Sequence, residues 1–392
     1  MPDYTYLIIG GSMTAHAAIE GIRQIDTAGS IGVIQGEAHK PYSRPPLSKA
    51  LWKGTPVESI WLKTPGDGIT FHLSTVATGL DPSKKIVTDD NGNRYSYGKL
   101  LLATGGTVRK FPAVPDGVIY YRTLDDFTKL KRMAEERRSF AVVGGGFIGS
   151  EIAAALSMNN KSVTMVVAED SIGARIFPKE LSEFVTTYYQ SKGVTTILHD
   201  GVIGIEHLGD GYQLKTAKGN SFIVDCVVAG IGIQPATKLA EDAGLKVDNG
   251  IVVDAFLRTT DRSIYAAGDV ARYHNPHLDG FTRSEHEDNA LKMGEAAGRN
   301  MAGADSKYDH IPFFYSDLFD LGYEAVGELD SRHEIVEDWK DKFHEGVIYY
   351  LKDKRVRGIL LWNTWDQVEN ARAILRQKTD VKAKDLIGRL PA

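Results

Sequence analysis

The sequence predicts an α/β protein with two βαβ domains in tandem and a smaller C-terminal α+β domain. Three observations predict it. A strand, a glycine turn, a helix and a second strand follow one another near the N-terminus; the same order restarts at residue 140; and the pattern after residue 310 matches neither copy.

The elements follow in order. Residues 4–9 (YTYLII) read as a short buried strand ended by Gly10 and Gly11. Ala15, Ala18, Ile22 and Ile25 then recur at helical spacing. Ile31, Val33 and Ile34 form a second strand, which stops at Gln35–Gly36–Glu37. A hairpin region follows, KKIVTDDNGNRYSYGKLLLATGG, with Asn91–Gly92 as its turn. In the second copy FAVV is the strand, GGGFIGSE the turn, Ile152 and Leu156 lie on the helix, and SVTMVV is the next strand, with Glu169 at its acidic end. YQLKTAKGNSFIVDCVVAGIG then supplies a matching turn near Lys218–Gly219 and a matching strand into glycine. Gly10 and Gly105 lie 95 residues apart, and Gly144 and Gly230 lie 86 apart. A repeat of that length means two similar domains rather than a solenoid. In the tail, VIYYL and VRGILLW flank Lys352–Asp353–Lys354–Arg355 as antiparallel strands, and Val368, Ala371 and Leu375 mark a helix.

Composition narrows the function classes. A chain of 392 residues is too long for one small core. With 42% hydrophobic and 25% charged residues it is an ordinary globular composition, and a net charge of −5 gives no reason to expect nucleic-acid binding. No apolar run approaches the length that spans a bilayer, so no membrane partner is expected. The single cysteine, Cys226, excludes an intramolecular disulfide and a redox-active cysteine pair within this sequence. That suits a reducing compartment, and MPDYTYLIIGG runs into a strand without a basic leader, so the expected setting is cytoplasmic. No metal site is expected: His274 and His277 lie in a proline-containing loop with no cysteine or carboxylate at ligand spacing.

The glycine loops carry the chemistry. A turn that approaches a pyrophosphate needs residues without bulk, because side chains would keep backbone N–H groups from the phosphate oxygens; the helix N-terminus adds its partial positive charge. Gly144, Gly146 and Gly149 complete a G-x-G-x-x-G pattern between strand and helix. Glu169 follows Gly149 by 20 residues, where a carboxylate accepts from both ribose hydroxyls. Glu169–Asp170 would repel a 2′-phosphate, which points to NADH over NADPH. The first loop is degenerate, Gly10-x-Ser12-x-x-Ala15, with Ser12 and Ala15 small enough to keep the geometry. Read alone it is equally a plain strand–helix turn; its place in a repeat favours a nucleotide. Its acidic residue is Glu37, preceded by Gly36, and either position serves to face a ribose.

With these residues in view, the chain resembles a family. PYSRPPLSKALW (41–52), LLATGG (101–106), GGGFIGSE (144–151), TTDRSIYAAGDVA (259–271) and SEHEDNA (284–290) look like the FAD-dependent pyridine nucleotide oxidoreductases. Within that group they are most similar to apoptosis-inducing factors of prokaryotic type and to oxygenase-coupled ferredoxin reductases. The resemblance runs through essentially the whole chain, and it implies two Rossmann-like domains in the glutathione-reductase-like arrangement. Residues 1–112 and 245–310 would form a discontinuous FAD-binding domain, 113–244 an NAD(H)-binding domain, and 311–392 the C-terminal domain.

The resemblance also implies roles. It assigns Gly10, Ser12, Ala15, Glu37, Arg44, Ala103, Thr104, Gly105, Gly268, Asp269, Glu285, His286 and Tyr315 to FAD. It assigns Gly144, Gly146, Phe147, Ile148, Gly149, Glu169 and Gly232 to the nicotinamide nucleotide. Lys49 and Glu151 would form an ion pair beside the flavin N5, with Lys49 touching FAD and Glu151 the nicotinamide side, and His286 would complete the catalytic set. Read alone, Asp269 fits a strand-end residue capping the next helix, Arg44 a solvated turn arginine, Lys49 and Glu151 surface charges, and Phe147 a core residue. His286 leans toward the apoptosis-inducing factors and Asn289–Ala290 toward the ferredoxin reductases.

Tyr315 stands where the family usually has tryptophan, and the region from LDSRHEIVED to GVIYYL lacks the long insertion of the animal proteins. The implied activity is hydride transfer from NADH to FAD and onward to an acceptor. The acceptor stays open among a ferredoxin, a rubredoxin and a small molecule, and a homodimer is an open assembly. Residues 345–392 hold ten Lys/Arg against six Asp/Glu, a net of +4 that suits an acidic iron–sulfur partner and equally a solvated tail.

Overall fold

The computed structural model describes residues 1–391. Backbone contacts divide them into two compact units, one of residues 1–44, 57–107 and 234–313, the other of 45–56, 108–233 and 314–391.

In the first unit Asp3–Ile9 pairs in parallel with Ile31–Ile34 on one side and Arg94–Leu102 on the other. Ile69–His72 extends the sheet beyond Ile31–Ile34, and Ile264–Ala266 joins Arg94–Leu102 in parallel. Leu7, Ile8, Ile31, Val33, Leu100 and Leu101 are all fully buried, as strands covered on both faces require. The helix Met13–Arg23 ends before Ile25, which is 43% exposed, so the expected apolar stripe stops at Ile22. This helix packs on Glu287–Met301 at backbone distance. A Cβ on Gly294 would lie 2.4 Å from Thr14 O, and one on Gly298 would lie 2.0 Å from Ala18 O, so only glycine permits the approach.

The second unit repeats the parallel core in the order Val194–Ile197, Ser162–Val166, Ser139–Val143, Cys226–Ala229, Ile119–Tyr120. The two copies differ in one detail. Arg94–Leu102 is a single strand, antiparallel to Ile86–Asp89 along its first half and parallel to Asp3–Ile9. Its counterpart, expected as one strand, breaks at Asp225 into Ser221–Val224, in an antiparallel hairpin sheet, and Cys226–Ala229, in the parallel sheet. The Asp225 carboxylate accepts from the N–H groups of Arg138 and Ser139, which holds the break in place.

The tail forms a five-stranded antiparallel sheet in the order Phe313–Leu318, Leu321–Gly327, Arg355–Trp362, Glu345–Lys352, Glu334–Asp341. Lys352 pairs with Arg355, and Asp353 and Lys354 both take positive φ, a two-residue hairpin turn matched to strand twist. Helix Val368–Arg376 covers the sheet with Ala371 and Leu375 buried. His274 lies in the strand Ala271–Asn275 rather than in a loop. Among the described residues no helix is long and apolar enough to cross a membrane.

Candidate functional site

In the second unit the strand Ser139–Val143 runs into Gly144, whose φ of 113° only glycine adopts without strain. A Cβ there would lie 2.4 Å from Gly230 O, and one on Gly149 would lie 2.0 Å from Gly144 O. Gly146 differs: a Cβ would meet nothing within 4 Å. The first and third glycines are therefore required by backbone packing, and the middle one opens onto free space at the start of helix Phe147–Met158. That division fits a pyrophosphate seated against the helix N-terminus. Phe147 and Ile148 are each 36% exposed beside this cradle, and Phe147 meets Phe314 edge-on with ring centroids 5.1 Å apart. Gly232 is exposed at φ 90° and accepts the Arg109 N–H at 2.9 Å.

The fifth residue of that helix is Glu151, 3% exposed. Lys49 Nζ lies 2.8 Å from its Oε1, with the lysine side chain 10% exposed. Two hydroxyls complete the carboxylate's partners: Ser48 Oγ donates to Oε2 at 2.5 Å and Ser316 Oγ to Oε1 at 2.6 Å. A buried carboxylate is tolerated only when its lone pairs are filled, and here three donors fill them. Lys49 stands between two short 3₁₀ turns, Pro45–Ser48 and Ala50–Lys53, which fix its backbone. Its ammonium also lies 5.1 Å from the centre of the Tyr315 ring, so a tyrosine at that position still offers a π face to the cation. Burial, and then the Glu151 charge, raise the hydroxyl pKa values of Tyr189 and Tyr323 far above the usual range, and both phenols stay neutral. Tyr189 donates to Ser150 O at 3.0 Å, securing the same helical turn.

In the first unit Gly10 has φ 101°, and a Cβ on it would lie 2.1 Å from Ala103 O. Ser12 occupies the N-cap of helix Met13–Arg23, Ala15 is fully buried, and Ser12 Oγ accepts from Arg44 Nε at 2.9 Å. Arg44 is also ion-paired with Glu37, whose other oxygen accepts from Tyr42 at 2.6 Å. Burial opposes the Arg44 charge, but Tyr42, Glu37 and Asp269 outweigh it and raise its pKa. Of the two candidate positions after the second strand, it is thus Glu37 whose carboxylate is built into the loop, while Gly36 is exposed. A fixed guanidinium beside a small-residue helix start suits a phosphate, and the carboxylate suits a ribose.

Of the other first-unit positions, Ala103 lies against Gly10, and Gly268 against Thr14 of helix Met13–Arg23. Ala103 N–H donates to Ile9 O at 2.8 Å, Thr104 Oγ donates to Ala236 O at 2.8 Å, and Gly105 has φ 65°. Gly268 has φ 75°, and a Cβ there would lie 2.3 Å from Thr14 Oγ1. Arg283 donates to Asp269 O at 3.0 Å and pairs with Glu285 at 2.5 Å. His286 is the N-cap of helix Glu287–Met301.

Glu169 sits three residues past the end of its strand and is paired with Arg175, an arginine that the sequence reading did not connect to it. Ser48, Ser316, Tyr42 and Gln35, whose side chain accepts the Gly11 N–H at 2.6 Å, were missed as well. Ser48 and Ser316 each adjoin a residue already singled out, Lys49 and Tyr315, and that adjacency was the available signal.

The family model described as pyridine nucleotide-disulphide oxidoreductase matches residues 4–294, and that of the apoptosis-inducing factor C-terminal region matches 297–340 and 332–377. A Drosophila melanogaster protein provisionally named mitochondrial apoptosis-inducing factor 1 is 31% identical over 95% of this chain, which spans only 63% of that protein's length. The 5,5′-dehydrodivanillate O-demethylase ferredoxin reductase subunit of Sphingobium sp. is 32% identical, covering 97% of this chain and 95% of its own. Among solved structures, the covalent putidaredoxin reductase–putidaredoxin complex superimposes with a TM-score of 0.91 at 28% identity, over 98% of this chain and 96% of that one. The family match spans more than half of the sequence, so this chain belongs to the pyridine nucleotide-disulphide oxidoreductases and is an oxidoreductase that uses FAD and NAD(H).

Proposed function

We propose that the protein is an FAD-dependent NADH oxidoreductase in which Lys49, Glu151 and His286 form the catalytic set. When bound, the cofactors supply the redox chemistry itself, a hydride passing from the nicotinamide to the flavin. The first loop, with Ser12, Glu37, Arg44 and Asp269, would hold FAD; Gly144, Gly146, Gly149 and Glu169 would hold NADH. In domain terms, residues 1–112 and 245–310 bind the flavin, 113–244 bind the nicotinamide nucleotide, and 311–392 form a third domain.

The observation that carries the reading is the buried Lys49–Glu151 pair, satisfied by Ser48 and Ser316, in the helix that opens on the glycine cradle. Glu151 fixes the ammonium in position in a dry setting, where a fixed cation stabilises negative charge that gathers beside it. The serines hold the carboxylate so that it does not turn away from Lys49. The proposal places the protein in the cytoplasm, where its single thiol stays reduced.

The first reading of the acceptor is a small oxidant, served slowly by a long-lived reduced complex, as the resemblance to apoptosis-inducing factors implies. A second reading, an iron–sulfur carrier, is favoured by the near full-length similarity to a ferredoxin reductase subunit and to a reductase solved with putidaredoxin. Stopped-flow reoxidation of the NADH-reduced protein separates them. Slow reoxidation unaffected by added ferredoxin supports the first, and reoxidation at a rate proportional to ferredoxin concentration supports the second.

A further inference from the structure

The cleft around Glu169 contains more than one ribose carboxylate. It measures about 750 Å³, and its walls include Glu169, Asp170, Arg175, His199, Asp330 and Arg332. These six side chains form three close pairs, two of them ion pairs: Arg175 on Glu169 and Arg332 2.6 Å from Asp330, with the His199 ring Nδ1 2.5 Å from Asp170. Arg332 pulls the Asp330 carboxyl down to about 2. Residues 330–332 come from the C-terminal region and are fastened to the cleft. The Ser331 N–H donates to Arg175 O at 3.0 Å, and Ser331 Oγ donates to Ala174 O at 2.7 Å.

We infer that segment 329–332 completes the adenosine end of the nicotinamide-nucleotide site, and that Arg332, together with Arg175, sets how well that site accepts a 2′-phosphate. The inference rests on the reading of Glu169 as the ribose partner. A free 2′-hydroxyl donates to Glu169. A 2′-phosphate carries close to two negative charges and needs cations within reach. Taken alone, Glu169–Asp170 would reject it, but Glu169 and Asp330 are each already paired with an arginine, and Asp170 lies against the His199 ring. The side chains of Arg175 and Arg332 are 84% and 87% exposed, so each can turn from its carboxylate to a phosphate without breaking packing. A planar guanidinium with five donors can keep one carboxylate contact and still offer N–H groups to a phosphate. The discrimination against 2′-phosphorylated nucleotides is accordingly modest, and removing either arginine sharpens it.

The test is calorimetric titration of the flavin-loaded protein with ADP-ribose and with its 2′-phosphorylated form, for wild type, Arg332→Ala, Arg175→Ala and Ser331→Ala. The expected result is a three- to fivefold loss of affinity for the 2′-phosphorylated ligand in each arginine variant, the upper end of an exposed charge contact, with ADP-ribose changed less than about twofold. Ser331→Ala, which removes the Oγ bond to Ala174 O while keeping the backbone bond and both charges, is expected to shift the ratio in the same direction by a smaller factor. If both ligands bind all variants as they bind wild type, or weaken together, the inference is overturned while the ribose reading of Glu169 stands. If neither ligand binds wild type, both fail.

Discussion

Replacing Lys49 by methionine and Glu151 by glutamine, singly and together, separates what their pair does for the fold from what it does for the chemistry. At 2.8 Å and an effective dielectric of about 20, the Coulomb attraction is about 6 kcal/mol. Desolvation of the two ions offsets much of that, so the net value of the pair is small while the cost of breaking it is large. Glu151→Gln leaves an oxygen for Ser48 and Ser316 but strands a buried ammonium; Lys49→Met strands a carboxylate that keeps its two hydroxyl donors. Each single change is expected to cost about 3 kcal/mol, and the neutral double variant about 1 kcal/mol. Urea unfolding of the flavin-loaded proteins then gives a coupling energy of about 5 kcal/mol, whereas additivity within about 0.5 kcal/mol would refute a buried, coupled pair. Rates of flavin reduction by NADH should not follow stability. Lys49→Met and the double variant are both expected to be slowed about a hundredfold, the scale of a lost electrostatic stabiliser. A double variant that regains wild-type rates would show that the pair only supports the fold.

Further expectations concern the loops, the arginine and the thiol. Gly146→Ala should fold normally, because its Cβ meets nothing within 4 Å, yet bind NADH at least tenfold more weakly; Gly149→Ala, whose Cβ would lie 2.0 Å from Gly144 O, should lower the melting temperature markedly. Unchanged NADH affinity in Gly146→Ala, measured by calorimetry, would contradict the phosphate cradle. Arg44→Met should lose bound flavin, read as the ratio of flavin to protein absorbance, and Arg44→Lys should not restore it, since a point charge cannot hold Ser12 and Glu37 at once. Cys226 is fully buried, and burial pushes its thiol from 9.0 to about 12, so a thiol reagent near neutral pH should label it only after unfolding. Tyr95 is likewise raised from 10.0 to about 12 by burial and then by its hydrogen bond to Asp89. Both groups hold their protons more tightly when folded. Their contribution to stability is therefore complete below pH 9 and is lost as pH rises toward about 12, which thermal melts across that range will register as a falling midpoint.

The fold was legible where local rules and burial agree. Both glycine turns, the strands that feed them and the Asn91–Gly92 and Lys218–Gly219 hairpins follow from spacing and turn chemistry within short windows. The break at Asp225 was not legible, because FIVDCVVAG reads as one apolar strand until Arg138 and Ser139 arrive from 86–87 residues away. The same holds around Glu151. Its ion pair was expected only through family resemblance, and its two hydroxyl partners lie 103 and 165 residues away in sequence. At Glu169 the local pattern showed two adjacent carboxylates and an apparent repulsion. The partners of the carboxylates of this cleft are Arg175, the His199 ring and an arginine in a loop of the C-terminal region, so its electrostatics belong to the tertiary structure.

The most direct measurement is an anaerobic titration of the purified flavin-loaded protein with NADH, following the flavin absorbance. The account predicts bleaching complete near one equivalent of NADH per flavin, and a rate that falls in Lys49→Met while NADH affinity is kept. Protein that binds no flavin, or bound flavin that NADH leaves oxidised, would contradict it.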